Sequence, residues 1–194
     1  MAEGTKRVMF AGVGGQGILL ASRVLAEGLL LAGLDVKSTE VHGMAQRGGS
    51  VVTQVCFGER VYSPLVGPGA IDILVTLEKL EALRYVHFLK RNGTLLANRR
   101  EIPSLPVLTG AVPYPRDIEE RLASFPVSLY LIDADREAER LGNARVMNVV
   151  LLGALVLLAG LASLVDWKEV VAGAVPPQYR EVNLRALEAG MRLV

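Results

Sequence analysis

Near the start of the chain, GVGGQG places Gly12, Gly14 and Gly17 at the spacing G-x-G-x-x-G. Glycines let a backbone turn tightly and approach an anion, and a helix opening behind them offers unpaired N–H groups. Glu40 follows at about the 20-residue spacing at which a dinucleotide fold keeps an acid for a ribose hydroxyl. The same glycines would also serve a plain strand-to-helix turn with close packing, and both readings stay open. A second candidate is EVHGMAQRGGS, Glu40 to Ser50. It is long for a strand-to-helix connection. Arg47 could grip a phosphate or carboxylate through two parallel hydrogen bonds, and His42 could move a proton. Glu40 and Gln46 add polar groups, while Gly43, Gly48 and Gly49 permit close backbone approach. The plainer alternatives are that Arg47 caps carbonyls and that His42 makes one structural hydrogen bond.

Other chemistries find little to work with. Cys56 is the one cysteine, so an internal disulfide is impossible and a reducing, cytoplasmic setting fits. Iron–sulfur clusters take about four cysteine ligands, more than this chain has. His42 and His87 are the two histidines, too few beside one cysteine for a zinc site. His87 is expected at a core or boundary position and Cys56 inside a strand. The sequence shows no P-loop, no Gly-x-Ser-x-Gly and no paired carboxylates at a useful spacing. Its first residues run straight into a strand-like segment, without the apolar region of a secretory leader.

The elements that would position these groups follow from the apolar pattern. Arg7–Ala11 reads as a buried strand and Ile18–Gly33 as a helix. Leu19, Val24 and Leu30 mark its apolar positions, Ser22, Arg23 and Glu27 its wetter side, and Gly33 its end. Leu34–Val41 reads as a second strand, which makes a βαβ unit and implies a parallel sheet. Both loops then leave the carboxyl edge of the sheet and face each other. Val51–Phe57 alternates as a strand, and Arg60–Ser63 is expected to pair back on it as a hairpin. Ile71–Leu77 is a further buried strand. Glu78–Leu89 is a helix ended by Asn92-Gly93, and Thr94–Asn98 is another strand. Prolines at 103, 106, 113 and 115 break up the middle. Arg116–Ser124 reads as a helix and Val127–Ile132 as a strand. Asp133 caps a helix over Ala134–Leu141, Asn143 opens an apolar helix, and Trp167–Gly173 and Tyr179–Leu193 are helical. The expected fold is α/β: one three-layer α/β/α domain spanning 1–194, with a mixed, mainly parallel sheet of five or six strands.

The chain has 194 residues, of which 51% are hydrophobic, 5% aromatic and 21% charged. Its mean hydropathy is +0.37, which excludes a disordered chain. Lys and Arg number 21 against 20 acids, so there is no basic surplus of the kind that phosphate-driven nucleic-acid binding needs. Val146–Val165 carries no charge over a length that could cross a bilayer. Gly153, Gly160 and Ser163 interrupt it, however, and its flanks bear both signs. A helix buried in the domain, or covered by a partner subunit, is the expectation, with no membrane span.

Taken together, the two loops resemble a known family. GVGGQGILLASRVLAEGLLLAGLDVKSTEVHGMAQRGGSVVTQV, Gly12 to Val55, resembles the gamma subunit or domain of 2-oxoacid:ferredoxin oxidoreductases. EVHGMAQRGGSV is most similar to the small subunit of the indolepyruvate enzymes. VYSPLV (Val61 to Val66), ILVTLEKLEALRY (Ile73 to Tyr85), NVVLLGAL (Asn148 to Leu155) and VNLRALEAG (Val182 to Gly190) continue the likeness, which is weakest from about Arg99 to Gly142. The resemblance implies one subunit of an enzyme that oxidatively decarboxylates a 2-oxoacid, an arylpyruvate such as indolepyruvate, to an acyl-CoA. It implies larger partner subunits carrying thiamine diphosphate and iron–sulfur clusters, with ferredoxin reached through the complex and no cofactor held by this chain alone. It further implies that Gly12, Gly14, Gly15, Gln16 and Gly17, with the segment from Glu40 through His42, Met44, Gln46, Arg47 and Gly48 to Gly49, line the coenzyme A side of the site. No residue is assigned as catalytic or as a metal ligand. In isolation the chain could also form a homodimer. The competing readings are a free-standing Rossmann-like nucleotide-binding protein built on Gly12–Gly17, and a membrane-associated protein.

Overall fold

Four consecutive apolar residues, Val8, Met9, Phe10 and Ala11, are buried on both faces of one strand, and the sheet grows outward from it. The computed structural model describes residues 4–42, 49–103 and 105–194. In them the strands are β1 (Lys6–Val13), β2 (Asp35–His42), β3 (Ser50–Gly58), β4 (Ile71–Thr76), β5 (Leu89–Asn98) and β6 (Ser128–Ile132). The helices are α1 (Ile18–Leu31), α2 (Lys79–Tyr85), the single turn α3 (Leu105–Leu108), α4 (Ile118–Ala123), α5 (Ala134–Arg140), α6 (Met147–Leu158), α7 (Trp167–Ala174) and α8 (Arg180–Met191). The strand order is β2-β3-β1-β4-β5-β6. β1, β4, β5 and β6 pair in parallel, and β3 runs antiparallel to both β1 and β2. The sheet is therefore mixed and mainly parallel, as expected.

Two local expectations fail for physical reasons. The strand over 51–57 forms no hairpin with 60–63. It is buried along almost its whole length, and its two edges are taken by β1 and β2. The Val61 N–H donates instead to Asp35 Oδ2 at 2.7 Å. Asn92-Gly93 does not end the preceding helix either. α2 stops at Tyr85, a 3-10 turn covers Val86–Phe88, and β5 has already begun at Leu89. The β4–β5 register jumps from Ile71↔Leu89 to Ile73↔Thr94. The extra residues loop out as a bulge, and Asn92 takes a φ of 60°, which asparagine tolerates better than most residues.

Neighbouring strand residues point to opposite faces, and the two faces are covered unequally. Val8, Phe10, Val55, Val75 and Leu96 pack under α1, α5, α6, α7 and α8. Met9, Ala11, Leu74, Leu95 and Ala97 pack under α2 and α4. On α1, Ile18, Ala21, Val24, Leu25, Gly28 and Leu29 face inward. Leu19 and Leu30 are exposed, against expectation, and Ser22 is buried with its hydroxyl on the Leu19 carbonyl at 3.2 Å. Gly33 closes the helix as foreseen: its N–H bonds to Leu30 O, and the Leu34 N–H to Leu29 O.

The long apolar run is accounted for inside the chain. α6 covers only Met147–Leu158 and is buried from Met147 to Val156. The Gly160 N–H bonds to Leu157 O and the Leu161 N–H to Val156 O, which ends the helix there. A Cβ on Gly153 would overlap the Leu187 carbonyl of α8, and one on Gly190 would overlap the Val150 carbonyl of α6. The two helices thus meet backbone against backbone. Among the described residues, no helix is long and apolar enough to cross a membrane.

Candidate functional site

The turn from β1 into α1 is held by its own side chain. Gln16 Oε1 accepts the Val13 N–H at 2.7 Å, and Gln16 Nε2 donates to Leu77 O at 3.1 Å, beyond the end of β4. Gln16 therefore braces the turn from within. Gly17 has a φ of 81°, and a Cβ there would overlap the Asn148 amide. That amide lies at the start of α6 and donates from Nδ2 to Gly17 O at 3.0 Å. The first turns of α1 and α6 are in this way locked side by side.

The two sequence loops do meet. The Gly14 N–H donates to Gly49 O at 2.8 Å, and Val13 pairs with Ser50. Gly12, Gly14, Gly15, Gln16, Gly17 and Gly49 are brought together at the carboxyl edge. Met44, Gln46, Arg47 and Gly48 lie outside the described residues, and His42 closes β2 opposite Val51. Glu40 is exposed in β2 and pairs with Thr53 of β3. Because β3 stands between β2 and β1, Glu40 is two strand spacings from the glycine turn, about 10 Å. A dinucleotide fold keeps this acid on the strand next to the turn, so the fingerprint is formal only.

Beside the glycine turn opens a cavity of about 640 Å³, within the usual range of ligand sites. Its walls are Val13 to Gly17 and Leu20, Arg100 and Ile102 after β5, and Ala144, Arg145, Met147 and Asn148 leading into α6. The Asn143 side chain caps this last approach by accepting the Arg145 N–H at 3.0 Å. Arg100 Nη1 donates to Asp135 Oδ1 at 2.8 Å. The Arg145 guanidinium has no ion-pair partner among the described residues. Two cations and the open ends of two helices favour an anion here.

On the other face of the sheet, the same edge carries buried acids. Glu78 and Glu81 are 1% and 3% exposed. Glu78 caps α2, accepting the Leu80 and Glu81 N–H groups at 3.0 and 2.5 Å. Glu81 accepts the Ser50 hydroxyl and meets Arg84 Nη1 at 3.4 Å. The Ser50 hydroxyl also lies 3.1 Å from that of Tyr85. Burial pushes both carboxyl groups above their ordinary range. Burial, reinforced by the Glu78 and Glu101 charges, likewise raises the Tyr114 phenol.

Sequence reasoning missed Arg100, Arg145, Asn148 and this acidic cluster. The available signal was position: Glu78 and Arg100 lie just beyond β4 and β5, and Arg145 just before α6, at the edge where α/β sheets bind ligands. Cys56 is buried in β3, bonds weakly to Pro64 O at 3.6 Å, and has a thiol pushed up by burial. It has the character of a core residue. His87, expected at the core boundary, is exposed against Phe88. Among the described residues, no group of three or more His, Cys, Asp or Glu could hold a metal.

Residues 7–193 match the family model described as pyruvate ferredoxin/flavodoxin oxidoreductase. Among curated relatives, the chain is 41% identical to indolepyruvate oxidoreductase subunit IorB of Thermococcus kodakarensis, covering 95% of this chain and 94% of the relative. It is 33% identical to 2-oxoglutarate synthase subunit KorC of Methanothermobacter thermautotrophicus, covering 100% and 97%. Among solved structures, the keto/oxoacid ferredoxin oxidoreductase gamma subunit of Geobacter sulfurreducens PCA superposes with a TM-score of 0.73 at 25% identity, covering 97% of each chain. A 2-oxoglutarate:ferredoxin oxidoreductase of Magnetococcus marinus, with 2-oxoglutarate, coenzyme A and succinyl-CoA bound, gives 0.76 at 20% identity. That match takes in 99% of this chain but 31% of the larger one, and it speaks to the fold. A free-standing nucleotide-binding protein finds no support in these relatives.

Proposed function

The chain belongs to the pyruvate ferredoxin/flavodoxin oxidoreductase family, and from that premise we propose that it is the gamma-type subunit that walls the coenzyme A side of a 2-oxoacid:ferredoxin oxidoreductase. The observation that carries this reading is the cavity of about 640 Å³ between the glycine turn, Arg100 and Arg145. Its size and cationic lining fit a phosphate-bearing ligand. The Gly14–Gly49 hydrogen bond joins the second loop to the same edge. The segment from Glu40 to Gly49, with Arg47, is proposed as the rest of that wall. All of 1–194 serves as one gamma-type domain.

What these residues do is bind, orient and exclude water. Arg145 meets phosphate charge, and the glycine turn lets a ligand approach the backbone. The chain's donor set does not fit an iron–sulfur cluster, since its one cysteine is buried. Clusters and thiamine diphosphate therefore belong to a larger partner subunit, where thiamine diphosphate supplies the decarboxylation chemistry. The proposed 2-oxoacid is an arylpyruvate such as indolepyruvate, in line with the higher identity to the IorB relative than to the KorC relative.

Reconstitution tests this. The purified chain alone should reduce no ferredoxin, and activity should appear when the large subunit is added. Turnover by the isolated chain would sink the subunit reading. Faster turnover of the complex on 2-oxoglutarate than on indolepyruvate would overturn the substrate assignment alone.

A further inference from the structure

An exposed arginine on a cavity wall loses side-chain conformational freedom when a ligand immobilises it. Arg100 is not free. Its Nη1 is fixed by Asp135 Oδ1 at 2.8 Å, and its remaining donors have no partner among the described residues. Asp135 is held in turn, since its Oδ2 accepts Asn98 Nδ2 at 2.8 Å. Asn98, at 0% exposure, has its amide fully engaged. Its Oδ1 accepts the Ala134 N–H at 3.0 Å, and its Nδ2 also reaches Leu77 O at 3.3 Å. That same Leu77 carbonyl accepts Gln16 Nε2 from the glycine turn. One carbonyl therefore ties both walls of the cavity together, and the line runs Gln16, Leu77, Asn98, Asp135, Arg100.

We infer that Asp135 is a positioning residue: braced by buried Asn98, it holds the Arg100 guanidinium at a fixed place opposite the glycine turn, where its free donors meet a phosphate of the ligand. This rests on the reading of the cavity as a coenzyme A wall. A simple tie between α5 and β5 would need only the Asn98 contacts. The second carboxylate oxygen instead engages Arg100, a residue that lines the cavity and whose other donors have no partner among the described residues. Arg145, in the same lining, has no such brace among the described residues.

The test uses the assembled complex with coenzyme A as probe. Its Kd is measured by calorimetry and its KM and kcat by steady-state turnover. Arg100→Ala should weaken binding about tenfold, as expected for loss of a charge-assisted pair. Asp135→Asn, nearly the same shape, should weaken it about threefold to fivefold. The Asp135→Asn effect should appear in Kd and KM and not in kcat. The double variant should bind no more weakly than Arg100→Ala alone, because Asp135 acts through Arg100. If Asp135→Asn weakens binding equally in both backgrounds, the inference is overturned. If Arg145→Ala raises the Kd and Arg100→Ala does not, the inference falls and the cavity reading survives. If none of the three changes the Kd, the cavity reading falls with it.

Discussion

Two charged regions lie at one edge of the sheet, on opposite faces, and they are built on opposite rules. On the α1 and α6 face, Arg100 and Arg145 stand at an open cavity with donors that have no partner among the described residues. On the α2 face, Glu78 and Glu81 are buried; their oxygens accept backbone N–H groups and a hydroxyl, and Glu81 also pairs with a guanidinium. Solvated groups with donors to spare can be lent to a ligand at little cost to the fold. Groups that are buried and paired hold the chain together, and removing one leaves its partners stranded. The contrast separates the proposed binding wall from a structural anchor although both are rich in charge.

The comparison breaks most visibly at Gly17, where wall and frame coincide. Gly17→Ala would force a side chain into a φ of 81° and against Asn148. Destabilisation of about 3 kcal/mol is expected from backbone strain and displacement together. Urea denaturation measures it, and a change below about 1 kcal/mol would mean that the α1–α6 lock yields easily. Next comes the anchor. Glu81→Ala removes the carboxylate that accepts the Ser50 hydroxyl and pairs with Arg84 and should cost about 2 kcal/mol in the same assay, with coenzyme A affinity of the complex unchanged. A selective loss of affinity with stability intact would erase the distinction between the faces. The smallest effect is on pH dependence. Burial raises Glu81 above its ordinary 4.5, so the folded chain binds more protons than the unfolded one. Its contribution is then complete below pH 4.5 and is lost as pH rises through the raised value. Glu81→Gln should flatten that fall, seen by isothermal denaturation from about pH 4.5 to 7. An unchanged slope would place the proton elsewhere.

Much of the fold was legible because its signals are local. β1, α1 and its Gly33 stop follow from periodicity and one glycine. Asp133 caps α5 as its position suggests, accepting the Arg136 N–H at 3.0 Å. What was not legible is what depends on distant neighbours. Nothing in VVTQVCF says that β3 slips between β1 and β2, and the consequence, Glu40 carried a strand too far, decides against the dinucleotide reading. The apolar run at 146–165 looked long enough for a bilayer because sequence alone does not show where a helix stops. The glycine turn is plain in the sequence; that the Gln16 amide is spent on Val13 and Leu77 is not. Arg100 and Arg145 were invisible because ordinary surface arginines look the same until a cavity collects them.

The place of β3 also bears on how such a protein can change over generations. β2 and β3 are antiparallel neighbours, a pairing that needs no crossover from one face of the sheet to the other. Lengthening a closing loop is cheap, about 0.6 kcal/mol for each doubling. The turn after β1 has no such licence, being wedged between Leu77 and Asn148. The edge therefore carries a turn whose length selection must keep, because an inserted residue would break its ties to Leu77 and Asn148.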